Sequence, residues 1–72
     1  MKVKELLGNL IITPKQKVRI CSETESRTYE TEPGTFAFEG YEDGAEKTWN
    51  KLASLHVLDF DFDSDRIFIH AE

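Results

Sequence analysis

One cysteine, Cys21, is the whole thiol chemistry of this 72-residue sequence. An internal disulfide is excluded, and nothing in the cysteine usage points to an oxidising compartment. Proline occurs twice and glycine four times, scattered along the chain. That leaves no phosphate-cradling glycine loop, no linker and no low-complexity segment. No apolar run approaches the roughly 18 residues of a membrane span. The short apolar stretch after Met1-Lys2-Val3-Lys4-Glu5 lacks the small-residue cleavage pattern of a signal peptide. The expectation is a cytoplasmic protein without a membrane partner. Positive charge is the scarcer sign, with 9 Lys and Arg against 14 Asp and Glu and a net charge of −5. It is concentrated at one end: residues 1–20 carry Lys2, Lys4, Lys15, Lys17 and Arg19 against Glu5 alone. The acidic remainder repels nucleic acid and membranes and favours basic partners.

What is present suffices for one small core. The length predicts a single domain over residues 1–72, close to the lower limit for folding without staples. Hydrophobic residues make up 39% and include five Phe. Homodimerisation would be a natural supplement to so small a core.

The hydrophobic spacing predicts an order α-β-β-α-β-β. Val3, Leu6, Leu7, Leu10 and Ile11 recur on one helical face, which predicts a helix over 2–10, with Pro14 stopping it. From Lys15 to Ser22 the pattern alternates, with Val18, Ile20 and Ser22 on one side and Lys17, Arg19 and Cys21 on the other. Residues 28–39 are rich in strand formers (Tyr29, Thr31, Phe36, Phe38) but are interrupted by Pro33-Gly34, so one broken strand and two short ones both fit. Asp43 is a candidate N-cap for a second helix over 43–53, carrying Ala45, Thr48, Trp49 and Leu52. Finally, 55–62 and 66–70 form a hairpin about the turn Asp63-Ser64-Asp65. In that hairpin His56, Leu58, Phe60 and Phe62 are expected on one face, and Val57, Asp59 and Asp61 on the other. The fold class is α+β: a small antiparallel sheet of four to five strands with both helices packed on one face.

The densest chemical signal is Asp59-Phe60-Asp61-Phe62-Asp63-Ser64-Asp65. Read as a calcium loop from Asp61, it places Arg66 where the loop needs glycine, and a strand follows instead of a helix. Read electrostatically, Asp59 and Asp61 point to the same side of a strand about 7 Å apart. Phosphates along one DNA strand have comparable spacing. Asp63, Asp65, Glu39, Glu42 and Asp43 would extend such an acidic row into a partner-binding face. The plain alternative is a solvated face that protects a sheet edge from aggregation. His56 and His70 with Cys21 fall short of a convincing zinc set. Cys21 shares a strand face with Lys17 and Arg19, but no nucleophile-bearing motif surrounds it. No metal, cofactor or catalytic residue is assigned.

The segments Val3-Lys4-Glu5-Leu6-Leu7 and Lys17-Val18-Arg19-Ile20 are joined at the other end by Leu58-Asp59-Phe60-Asp61-Phe62 and Asp65-Arg66-Ile67-Phe68-Ile69. Together they resemble the two ends of small accessory proteins from phages and prophages of low-GC Gram-positive bacteria. The resemblance covers about half of the chain and carries no catalytic residues. It implies a mobile-element protein acting on host machinery. The expected function is a non-enzymatic module binding a host or phage protein through an acidic face or sheet edge. Two alternatives stand beside it. One is an inhibitor of a host-defence nuclease that imitates DNA; the other is a nucleic-acid-binding module using the basic first strand.

Overall fold

The computed structural model describes residues 1–72. The elements are α1 (Val3–Gly8), β1 (Lys17–Ser22), β2 (Arg27–Glu30), α2 (Ala45–Ala53), β3 (Val57–Phe62) and β4 (Arg66–Ala71). The chain is α+β, with one four-stranded sheet in the order β2-β1-β4-β3. The sheet is mixed, where a wholly antiparallel one was expected. β1 pairs antiparallel with β2, β3 antiparallel with β4, and the central pair β1–β4 is parallel. A parallel pair needs a long crossover, and here β2, α2 and β3 all lie between β1 and β4. Each strand's alternation is indifferent to its neighbour's direction, so periodicity carries no trace of this.

Val18, Ile20, Tyr29, Ile67, Ile69 and Ala71 project from one face of the sheet into a cluster with Val3, Leu6, Leu7 and Leu52 of the helices. Both helices therefore cover the same face, and the other is open. β4 is central because its inward residues, Ile67, Ile69 and Ala71, are fully apolar and buried. α1 is shorter than the 2–10 expectation. The Lys2 N–H donates to Glu5 Oε1 (3.2 Å) at its start, and the Asn9 side chain donates to the Glu5 carbonyl (2.8 Å) at its end. Leu10 and Ile11 thus lie beyond the helix; Leu10 still packs against the core, whereas Ile11 is exposed.

The region 28–39 yields only one strand. After Glu30 the chain turns at Gly34 (φ 78°), and no strand follows. Phe38 instead enters the core from a loop and stacks on Trp49 at 6.2 Å between ring centres. Asp43 does not cap α2. The N-cap is Gly44 (φ 85°), without a side-chain cap bond, and Asp43 pairs with Lys51 at 3.5 Å. A bulge between Val57 and Asp59 corrects the expected faces of β3. The extra residue resets the alternation, so Val57 pairs with Ala71 and packs against the core, while Asp59 and Asp61 pair with His70 and Phe68 on the open face.

Candidate interaction surface

The open face is built from the polar side of each strand's alternation. Cross-strand pairing places Glu30 beside Arg19, Arg19 beside Phe68, and Phe68 beside Asp61; one step along, it places Thr28 beside Cys21, Cys21 beside His70, and His70 beside Asp59. Charges on this face largely answer one another. Glu30 lies 3.2 Å from Lys17 Nζ and 3.7 Å from Arg19 Nε, so the basic first strand is already partnered. Arg19 also lies over the Phe68 ring, 5.9 Å from its centre. Towards the hairpin tip a shallow cavity of about 300 Å³ is lined by Arg19, Arg66, Asp61, Asp63, Phe62, Phe68 and Thr28. Its two guanidinium groups and two carboxylates balance.

His70 sits between two carboxylates, with Nε2 on Glu23 and Nδ1 3.4 Å from Asp59. The Glu23 contact, opposed by desolvation and helped by Asp59, raises the imidazole pKa above its usual value. Both ring nitrogens face acids, so neither is directed at Cys21 as a base. No three His, Cys, Asp or Glu side chains converge in a way that could hold a metal ion.

The acidic residues singled out in the sequence do not form one row. Asp59 and Asp61 lie together on β3, an edge strand. Asp63 does structural work in the turn: its Oδ1 accepts from the Asp65 N–H (2.7 Å) and the Arg66 N–H (3.0 Å), which holds its pKa below the usual range. Asp65 is exposed at the same tip. Glu42 and Asp43 belong to the opposite edge of the sheet. Glu42 grips Arg27 of β2 in a two-pronged pair that lowers its pKa to about 2, and Asp43 faces Lys51. Glu39 is exposed in the loop before them.

The two sheet edges are treated differently. On β2 the outward backbone groups of Glu30 are taken by the Tyr41 hydroxyl, which accepts from the Glu30 N–H (2.7 Å) and faces its carbonyl (3.4 Å). Arg27–Glu42 and the tilted contact of the Tyr29 and Tyr41 rings (4.9 Å) hold the loop there. On β3 only the start is covered, where the Val57 N–H donates to the Met1 carbonyl (2.8 Å). The Asp63 N–H donates to the Arg66 carbonyl (2.9 Å) at the hairpin end. Antiparallel alternation then turns the backbone groups of Phe62 and Phe60 away from β4. The Phe62 N–H is taken up by Asp61 Oδ1 (2.8 Å); no loop or side chain hydrogen-bonds the backbone of Phe60. Beside this edge Leu58, Phe60 and Phe62 are 46%, 42% and 61% exposed.

The sequence placed Leu58, Phe60 and Phe62 on a common face but treated that face as covered. The missed signal is helix length: six residues of α1 rise only about 9 Å, whereas the six of β3 extend about 20 Å. Gln16 also escaped notice. Buried, it donates from Nε2 to the Asp63 carbonyl (2.6 Å) and accepts from the Thr13 N–H (3.1 Å), fastening the hairpin tip to the segment before β1. No family model, curated protein or solved structure matches this chain.

Proposed function

We propose that the protein is a non-enzymatic interaction module that binds a protein partner through the β3 edge and the acidic side of the adjoining open face. The phage or prophage context comes from the sequence resemblance and belongs to the same proposal, as does a bacterial cytoplasmic location. The observation that carries the reading is the contrast between the edges: β2 is closed by Tyr41 and its loop, while β3 keeps an unpaired Phe60 backbone flanked by exposed Leu58, Phe60 and Phe62. Natural sheets cover, bulge or charge an edge strand to prevent pairing with other chains. β3 carries a bulge and two carboxylates, yet it leaves its apolar side in water, where an exposed apolar patch marks a contact surface.

The nucleic-acid reading has less support, because Lys17 and Arg19 are occupied by Glu30. The DNA-imitating inhibitor loses Glu42 and Asp43 to ion pairs at the far edge and retains Asp59 and Asp61. The test is capture from bacterial lysate on immobilised protein. The partner should be retained by the parent and by Glu42→Gln, and lost with Leu58→Ser/Phe62→Ser and with Asp59→Lys/Asp61→Lys. A partner held equally by all four proteins, or by none, refutes the assignment to β3.

A further inference from the structure

We infer that β3 accepts one added strand, and that the chain supplying it alternates basic and apolar residues. This rests on the interaction reading above and names the partner's chemistry. Strand addition takes its affinity from main-chain hydrogen bonds along an open edge and its selectivity from alternate side chains. The edge is open at Phe60, and the two sides of β3 ask for opposite chemistry. On the open-face side, Asp59 and Asp61 stand in succession with 72% of the Asp59 side chain in water. On the helix side, Phe60 and Phe62, paired with Ile69 and Ile67, are exposed. Neighbouring side chains on adjacent strands come within about 5 Å. An incoming strand therefore sets every second residue beside a carboxylate and the residues between beside Phe. Lys or Arg at the first set, with Val, Ile or Leu at the second, satisfies both.

A second copy of this chain fits poorly. Antiparallel self-pairing of β3 centred on the open Phe60 sets Asp59 opposite Asp61 of its copy, leaving like charges opposed. His70 and Glu23 adjoin Asp59. A neutral His70 leaves both acids uncompensated and favours the basic strand, whereas protonation supplies an internal competitor.

The experiment uses the full chain labelled with nitrogen-15 and three peptides: acetyl-RVKVRVK-amide, the same peptide N-methylated on alternate residues along its docking edge, and acetyl-EVEVEVE-amide. The first should bind and slow hydrogen exchange at the Phe60 amide, leaving Asp61 unchanged. The methylated and acidic peptides should fail. Asp59→Lys/Asp61→Lys should weaken binding about 2- to 30-fold, as expected for two exposed ion pairs. Binding that shifts Arg19, Phe68 and His70 while Phe60 exchanges freely overturns strand addition and leaves the wider interaction reading standing. Failure of the basic peptide to bind at millimolar concentration, or equal binding of the methylated one, also overturns it. Concentration-dependent protection of Phe60 without peptide would assign the edge to self-association instead.

Discussion

Replacing Thr31 by valine should remove one hydrogen bond at the place where β2 leaves the sheet. The Thr31 N–H donates to the Val18 carbonyl (2.9 Å), but the reciprocal bond from the Val18 N–H goes to the Thr31 hydroxyl (2.9 Å). The side chain substitutes for a ladder carbonyl just before the chain turns away at Glu32-Pro33. Thr31 and Val18 are both buried, so water cannot replace the hydroxyl. Stranding a buried donor costs about 1–3 kcal/mol. The added methyl returns about 0.8 kcal/mol, leaving a net loss of about 0.2–2 kcal/mol. A domain of this length holds about 4–10 kcal/mol in all, and each kcal/mol moves the melting temperature by about 4–8 °C. Thr31→Val should therefore melt about 1–15 °C lower by circular dichroism, and its Val18 amide should lose exchange protection selectively. Thr31→Ser keeps the hydroxyl, should lose about 1 kcal/mol for the methyl, and should leave the Val18 amide protected. A valine variant whose Val18 amide stays as slow to exchange as in the serine one would refute the reasoning.

Phe38→Ala should cost about 3–5 kcal/mol, because the ring is fully buried beneath Trp49; urea denaturation followed by tryptophan fluorescence measures it. Gly34→Ala should lose about 1–3 kcal/mol: the residue sits at φ 78°, and a methyl would lie 3.2 Å from the Pro14 Cα. Gly8→Ala, at the end of α1 with open space around it, should gain about 0.4–1 kcal/mol in the same thermal melts. The raised pKa of His70 makes its contribution to stability complete below about pH 6.5 and lost as pH rises through the folded value. Melts from pH 6 upward should show this decline in the parent and not in His70→Asn; equal slopes would show that the Glu23 and Asp59 contacts do not persist in solution.

How much was legible in the sequence differs by element. β1 was read with the right faces, though begun two residues early at Lys15, because Val18, Ile20 and Ser22 alternate without interruption and no other element disturbs the register. β3 was read a face out at its start: its composition alternates perfectly through Val57-Leu58-Asp59, and only the pairing with β4 reveals the bulge that resets the phase. Phe36 and Phe38 look like strand residues but stack against Trp49 from a loop, since a buried aromatic gains the same apolar contact from either backbone. The acidic residues could be found by inspection, yet their grouping could not. Asp59 and Asp61 share a strand, while Glu42 and Asp43 are drawn to the far edge by Arg27 and Lys51.

By itself, the sequence determined the class, the order of elements and the inward residues of the central strands, because these follow from local periodicity and the absence of staples. Tertiary structure alone decided that β4 enters the middle of the sheet parallel to β1, that Tyr41 closes one edge, and that β3 keeps its apolar side in water. Those outcomes depend on which surfaces meet across many residues, and the free energy of such meetings is not written in the spacing of neighbours along the chain.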